Sequence, residues 1–158
     1  MAGHILVVDD EEGVRFSLRG ILEDENYTVS EADSGENALL FLENNLVDLV
    51  FLDIWLTGID GLETLKRAKE LYPQIPFIMI SGHGNVETAV QALRLGAHDF
   101  VEKPLSLEKI LLSVRHALEM KELKQENSLL RQAVHNDYEV PMVANSKVMR
   151  AFMRDLMK

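Results

Sequence analysis

Near its start the chain reads Ile5-Leu6-Val7-Val8-Asp9-Asp10, four consecutive apolar residues that lead directly into two carboxylates. Two later stretches have the same form, Leu49-Val50-Phe51-Leu52-Asp53 and Phe77-Ile78-Met79-Ile80-Ser81. Each run is too short for a helix and is apolar throughout, which is typical of strands covered on both faces. The three stretches therefore predict central parallel strands, each ending in a polar residue.

The rest of the chain supplies two edge strands and the helices between strands. Residues 27–32 alternate between apolar and polar, and residues 98–102 form a second short strand pattern. Amphipathic segments fill the gaps, at about 12–25, after Ser34, after Asp60-Gly61, after Gly84 and from Ser106. Five strands alternating with five helices predict an α/β three-layer sandwich, and right-handed crossovers restrict it to doubly wound strand orders.

Composition excludes several classes of protein. Of the 158 residues, 47% are hydrophobic and 27% are charged, as in ordinary globular domains. The absence of cysteine excludes disulfides, cysteine-zinc sites and thiol catalysis. The formal net charge of -10 argues against DNA binding by this fragment, because phosphate contacts need positive patches. No apolar run is long enough to span a membrane and none resembles a signal peptide, so we expect a cytoplasmic location.

Five polar residues are predicted to meet at one edge of the sheet. Asp9, Asp10 and Asp53 follow the first and third strands, and Ser81 and Lys103 end the fourth and fifth. The carboxyl ends of parallel strands form the ligand crevice of an open α/β sheet. Three close carboxylates repel one another unless a hard divalent cation, Mg²⁺ or Mn²⁺, neutralises them. With a hydroxyl and an ammonium beside them, they form a constellation suited to phosphoryl transfer.

The whole set of motifs resembles the receiver domain of two-component response regulators. The motifs are Val7-Val8-Asp9-Asp10-Glu11, Leu52-Asp53, Ser81-Gly82 and Lys103-Pro104, in this order on five βα units. The resemblance implies a flavodoxin-like, CheY-like fold over residues 1–118, with strand order 2-1-3-4-5 and an extended C-terminal helix.

The resemblance also implies a role for each acidic residue. Asp53 would accept a phosphoryl group from the phosphohistidine of a sensor histidine kinase. Asp10 would bind Mg²⁺ directly, together with Asp53, and Asp9 would help directly or through water. The backbone carbonyl of Trp55, two residues after the phosphoacceptor, would be a further metal ligand.

The same resemblance identifies switch residues and one departure. Ser81 would hydrogen-bond to a phosphoryl oxygen and Lys103 would pair with it. Phe100 matches the aromatic that moves inward when the serine shifts, with plain core packing as the alternative. The Lys103-Pro104 bond is expected to be cis. Leu56-Thr57 stands where receivers usually carry Met-Pro, so the fixed φ of a proline is missing from this loop.

Further stretches narrow the resemblance to sigma-54-dependent activators of the NtrX and NtrC type. Residues 52–56, 79–90 and 122–131 resemble their receiver and linker, and residues 145–150 resemble the first helix of their AAA+ ATPase domain. Residues 137–158 would then be a linker and the start of a truncated domain, whose phosphate-binding loop is absent from this chain. ATP hydrolysis, DNA binding and contact with sigma-54 RNA polymerase are implied for a longer, full-length protein only.

The fifth helical pattern continues past the domain, from Ser106 to about residue 134, without glycine or proline. Residues spaced by three and four form a heptad seam, in which the asparagine would fix the register: Met120, Leu123, Asn127, Leu130 and Val134. The seam predicts a short dimerising coiled coil over residues 119–136, and a helix folded back on its own domain is the alternative. The resemblance adds the face of helix four, strand five and helix five as another homodimer surface.

The functional prediction is a regulatory domain that catalyses only its own phosphorylation and dephosphorylation. Phosphorylation would switch the oligomeric state or the activity of the activator. An aspartyl-phosphate hydrolase would want an acid where Trp55 stands, and a flavin carrier would want a glycine-rich loop in place of Asp9-Asp10-Glu11-Glu12. A receiver that signals by protein contact alone, without phosphorylation, stays open as an alternative.

Overall fold

We describe a computed structural model of the chain over residues 3–56, 58–82 and 86–139, with residues 125–139 as backbone alone. The five strands are β1 His4–Val8, β2 Thr28–Ala32, β3 Leu49–Asp53, β4 Phe77–Ser81 and β5 Asp99–Glu102. The five helices are α1 Glu12–Asp24, α2 Gly35–Asn44, α3 Gly61–Leu71, α4 Val86–Arg94 and α5 Leu107–Glu139. Strands and helices alternate along the chain, as the sequence predicts.

All five strands are parallel and lie in the order β2-β1-β3-β4-β5. This confirms the predicted flavodoxin-like order. Because β2 lies on one side of β1 and β3 on the other, the chain reverses its direction of winding between β1 and β3. The crevice at such a reversal is where doubly wound sheets bind their ligands.

The sheet separates two apolar clusters, one on each face. Successive side chains of a strand point to opposite faces, so a strand that is apolar throughout serves both clusters. All five residues of β3 and of β4 are buried. One cluster packs the sheet against α2, α3 and α4, and the other packs it against α1 and α5. This confirms the three-layer sandwich.

The loop after β3 is held by the start of α3. The backbone N–H of Gly61 donates to the carbonyl oxygen of Ile54 at 2.8 Å, and Asp60 caps the helix by accepting from the N–H of Glu63 at 2.8 Å. A Cβ atom on Gly61 would overlap the carbonyl oxygen of Asp53 and lie 2.6 Å from Cα of Ile54. Glycine at this position therefore lets α3 begin directly behind the end of β3.

Helix α5 extends beyond its predicted end. The sequence predicts the helix as far as about residue 134, whereas it continues to Glu139. Asn136 and Asp137 each cost well under ~1 kcal/mol in a helix, which is too little to end a long one. The predicted start of an AAA+ domain is mostly at residues 140–158, which lie outside the described residues.

The chain divides into two compact units, Met1–Leu118 and Glu119–Lys158, and the sheet belongs wholly to the first. Among the helices that the structure describes, none is long and apolar enough to cross a bilayer.

Candidate functional site

The three predicted aspartates meet at the carboxyl ends of β1 and β3. Asp9, Asp10 and Asp53 each present a carboxylate oxygen, and these oxygens lie within 4.8 Å of one another. Asp9 and Asp53 are buried, whereas Asp10 is exposed. They come together because β1 and β3 are hydrogen-bonded neighbours that end at the same edge of the sheet. An open cavity of about 320 Å³ lies above them, lined by Asp10, Glu11, Asp53, Trp55, Gly82 and Lys103.

Lys103 brings its ammonium group to the same cluster from the end of β5. Nζ lies 3.2 Å from Oδ2 of Asp9, 3.3 Å from Oε1 of Glu11 and 3.7 Å from Oδ2 of Asp53. The backbone N–H of Lys103 donates to the carbonyl oxygen of Ser81 at 2.8 Å, and the Lys103-Pro104 bond is cis, as predicted. The contact with Glu11 was not predicted, because it joins residues 92 positions apart that share no local pattern.

The two carboxylate oxygens of Asp9 have different contacts. Oδ1 accepts the backbone N–H of Glu11 at 2.9 Å. Oδ2 is buried and accepts no hydrogen bond from the described residues, although Nζ of Lys103 is within ion-pair distance. Burial raises the pKa of Asp9, and the N–H of Glu11 and the charge of Lys103 offset part of this rise.

The pKa of Asp53 is strongly raised. Burial, with the charge of Asp9 as the next largest cause, raises its pKa to about 6. The charge of Lys103 and the backbone N–H of Trp55, 3.2 Å from Oδ1, act in the opposite direction. Burial disfavours the charged form of Lys103 too, but the charges of Asp53 and Asp9 outweigh it and raise the pKa of Lys103. One ammonium is thus too little positive charge for this group of carboxylates.

The residues present fit a divalent cation. The donors are all carboxylate oxygens, which Mg²⁺ and Mn²⁺ prefer. One of them, Oδ2 of Asp9, is buried without a hydrogen bond from the described residues, and the raised pKa of Asp53 marks a place where positive charge would be stabilising. The metal-ligand roles of Asp9, Asp10, Asp53 and the carbonyl of Trp55 stay predictions.

Trp55 makes a side-chain contact that was not predicted. Its indole Nε1 donates to Oγ of Ser81 at 3.0 Å. Ser81 is fully buried at the end of β4, whereas Trp55 is 51% exposed. The predicted role of Trp55 in the site involved its backbone carbonyl alone. A signal for the side chain is the placement of the chain's single tryptophan two residues after Asp53.

The structure also places Phe100 and part of the predicted seam, which lie outside the acidic cluster. Phe100 is partly buried and packs against the apolar cluster of α2, α3 and α4. Its packing is therefore observed, and its switch role stays a prediction. Thr57 lies outside the described residues. In the seam, Met120 and Leu123 are exposed, and the side chains of the other three members lie outside the described part: Asn127, Leu130 and Val134.

A doubly wound parallel sheet, with an acidic cluster at its winding reversal and a lysine after its last strand, defines a receiver-type signalling domain. The sequence profile of the response regulator receiver domain matches residues 5–115. The chain belongs to this family.

Named relatives indicate the type of response regulator to which the chain is similar. Over 134 residues the chain is 45% identical to the nitrogen assimilation regulatory protein NtrX of Azorhizobium caulinodans, covering 84% of the chain and 30% of that protein. It is 48% identical to the crystal structure of the receiver domain of NtrX from Brucella abortus, with a TM-score of 0.70, covering 73% of the chain and 98% of that structure. The solution structure of the beryllofluoride-activated NtrC4 receiver domain dimer is 40% identical, with a TM-score of 0.72 and coverage of 75% and 98%.

These comparisons confirm the predicted resemblance. The chain carries the receiver domain of a two-component response regulator of the NtrX and NtrC type. It spans about a third of the length of the curated relatives it matches.

Proposed function

We propose that Asp53 accepts a phosphoryl group from the phosphohistidine of a sensor histidine kinase. A carboxylate oxygen of Asp53 attacks phosphorus and forms an O–P bond. The N–P bond of the phosphohistidine breaks, and its electron pair leaves with the imidazole, which takes up a proton. The observation that carries this proposal is the ammonium of Lys103, which lies within 4 Å of Asp53 and Asp9 at the mouth of an open cavity.

The side chains around Asp53 would neutralise the charge of the phosphoryl group and orient it. Lys103 would pair with the phosphoryl oxygens, because its charge is already drawn to this edge by two buried carboxylates. Ser81, at the end of the neighbouring strand β4, would donate its hydroxyl to a phosphoryl oxygen. Asp9, Asp10, Asp53 and the carbonyl of Trp55 would hold Mg²⁺ or Mn²⁺, which when bound supplies positive charge for the transferring group.

We further propose that phosphorylation switches the oligomeric state or activity of a longer sigma-54-dependent activator. Residues 1–118 would be its receiver, residues 119–136 a dimerising linker helix, and residues 137–158 the approach to an AAA+ domain. ATP hydrolysis, DNA binding and contact with sigma-54 RNA polymerase would reside in parts that this chain lacks. Support comes from the NtrX relatives and from the activated NtrC4 receiver, which is a dimer.

The dimer surface would include the face of α4, β5 and α5, the linker helix, or both. Helix α4 exposes three large apolar residues, Val86, Val90 and Leu93, and α5 exposes Leu112. Phosphorylation can shift such an equilibrium only by as much as the phosphoryl group favours one state over the other. The link from the site to this face would run through Ser81, the last residue of β4, and Lys103, which follows β5.

The test is intact-mass measurement after incubation with acetyl phosphate and Mg²⁺. The wild-type protein should gain one phosphoryl group, about 80 Da. Asp53→Asn should gain none, and Asp24→Asn, at the far end of α1, should behave as wild type. If the wild type gains no mass and does not bind beryllofluoride, the phosphorylation proposal is wrong, and a receiver that acts by contact alone becomes the better account.

A further inference from the structure

Trp55 holds an unusual position for a large aromatic side chain. It is half exposed at the mouth of the site, so packing in the core does not account for it. Its indole N–H, which can only donate, is directed to the buried hydroxyl of Ser81 at 3.0 Å. The same residue donates its backbone N–H to Oδ1 of Asp53 at 3.2 Å. One residue therefore touches both the proposed phosphoacceptor and the proposed switch hydroxyl.

We propose that Trp55 is a positioning residue whose indole restrains Ser81 in the resting state. The proposal rests on the phosphorylation of Asp53 proposed above. To donate to a phosphoryl oxygen on Asp53, the hydroxyl of Ser81 would turn or move towards the end of β3. The hydrogen bond from Trp55 favours the present position of Oγ and would lengthen or break during that movement. Trp55 thus stabilises the resting arrangement and opposes the active one.

The position of the indole suits such a restraint. Trp55 and Gly82 both line the cavity, so the bond spans the gap between the loops that follow β3 and β4. Ser81 is fully buried, which makes its oxygen a poor acceptor for water and a good one for a fixed donor. The backbone N–H of Trp55 is hydrogen-bonded to Oδ1 of Asp53, so a change at that carboxylate is one residue away from the indole.

Replacing Trp55 by phenylalanine keeps an aromatic ring and removes the donor. A typical net hydrogen bond changes an equilibrium by roughly 2- to 10-fold. We therefore expect Trp55→Phe to bind beryllofluoride, at fixed Mg²⁺, with a midpoint roughly 2- to 10-fold lower than wild type. If Trp55 instead supported the active arrangement, the same substitution would raise the midpoint.

A double-mutant cycle tests whether the effect passes through Ser81. Ser81→Ala removes the acceptor, so adding Trp55→Phe in that background should change the beryllofluoride midpoint by less than about twofold. Ser81→Thr keeps a hydroxyl and should restore the effect of Trp55→Phe. An effect of equal size in the Ser81→Ala background would mean that the indole acts on the site in some other way, and would overturn the proposal.

NMR spectroscopy tests the hydrogen bond in proteins that keep Trp55. The single tryptophan gives one indole N–H signal in a proton–nitrogen NMR spectrum. Ser81→Ala should move this signal, Ser81→Thr should leave it near its wild-type position, and beryllofluoride should move the wild-type signal towards that of Ser81→Ala. A signal that responds neither to Ser81→Ala nor to beryllofluoride would overturn the proposal.

The measurement of intact mass separates the two possible failures. If wild type gains a phosphoryl group and Trp55→Phe has an unchanged or higher beryllofluoride midpoint, the restraint is wrong and the proposed function stands. If wild type neither gains mass nor binds beryllofluoride, the proposed function fails, and the restraint fails with it.

Discussion

Lys103 makes a shorter ion pair with Asp9 than with Asp53, since Nζ is 3.2 Å from Oδ2 of Asp9 and 3.7 Å from Oδ2 of Asp53. In this arrangement the ammonium is shared with Glu11 as well. Asp53 is therefore buried with incomplete compensation of its charge, and its pKa rises to about 6. The site therefore holds an unfavourable electrostatic interaction at the carboxylate that we propose is phosphorylated.

The first prediction concerns the cost of ionising Asp53. Because its pKa in the folded protein lies above the unfolded value of 3.8, wild-type stability should fall as the pH rises from about 4 to about 6. At 1.36 kcal/mol per unit, the cost above this window is at most about 3 kcal/mol. Metal-free Asp53→Asn should therefore unfold at a higher urea concentration than wild type at pH 7.5.

The advantage of Asp53→Asn should disappear near pH 4, where both proteins carry a neutral side chain at residue 53. Urea titrations at pH 4, 6 and 7.5, with EDTA present, measure this dependence. Equal stability at pH 7.5, or a difference that grows towards pH 4, would contradict the assigned pKa direction.

The second prediction concerns the ammonium. Lys103→Met removes the cation from two buried carboxylates, and breaking a buried pair costs about 3–5 kcal/mol. Because the Lys103 side chain is 18% exposed, we expect a loss of about 2–4 kcal/mol at pH 7.5. The loss should shrink as the pH falls to about 6 and below, because Asp53 becomes protonated there. Chemical denaturation measures the loss, and Lys66→Met, at an exposed site, should change stability by less than about 0.5 kcal/mol.

The third prediction concerns divalent cations. Mg²⁺ at about ten times its Kd should stabilise the wild type by about 1.4 kcal/mol, a Tm rise of roughly 3–6 °C. Asp10→Asn should lose most of this rise, because Asp10 is one of three carboxylates in the cluster. Thermal unfolding with and without Mg²⁺ tests it, and Asp24→Asn serves as the matched control. An undiminished rise in Asp10→Asn would exclude Asp10 as a ligand.

The fourth prediction uses two glycines of opposite character. Gly61→Ala should destabilise the protein by about 1–3 kcal/mol, because the new Cβ would meet the backbone of Asp53 and Ile54. Gly20→Ala, in exposed α1 with no atom within 4 Å of the new Cβ, should stabilise it by roughly 0.5–1 kcal/mol. Chemical denaturation of the two variants at one pH measures both changes in stability. If Gly61→Ala leaves stability unchanged, α3 can shift away from β3.

The fifth prediction concerns the linker helix. If residues 119–136 dimerise, Leu123→Lys should shift the sedimentation of the chain towards monomer, because a charge would enter an apolar seam. Leu123 is 54% exposed in the single chain, so the variant should keep its fold. Leu46→Lys, at a 93% exposed leucine outside the helix, should leave sedimentation unchanged. Equal behaviour of both variants would argue against the seam.

The sheet was predictable because the strand pattern of this chain is local. Residues 5–8, 49–52 and 77–80 are apolar throughout, and a strand of that kind has to lie inside a covered parallel sheet. The convergence of Asp9, Asp10 and Asp53 followed from the same argument, since parallel strands end at one edge. The strand order itself came from the resemblance, because right-handed crossovers alone left several orders open.

Other contacts were not predictable from local pattern. The pairing of Lys103 with Glu11 and that of Trp55 with Ser81 depend on side-chain directions across different loops. Helix α5 continues beyond its predicted end at about residue 134, because the weak helix formers at 136 and 137 cost too little free energy to end it. The coiled-coil seam stays a prediction, since Leu123 and its exposed neighbour Met120 are the members whose side chains are described.

The position of Trp55 makes it an intrinsic fluorescent probe of the site. The chain has a single tryptophan, and its indole is half exposed and hydrogen-bonded at the rim of the site. Fluorescence excited at the red edge of protein absorption therefore comes from one ring beside Asp53, without background from other indoles. The proposed cation binding, phosphate-mimic binding and dephosphorylation would each be followed by stopped-flow emission on the unlabelled chain.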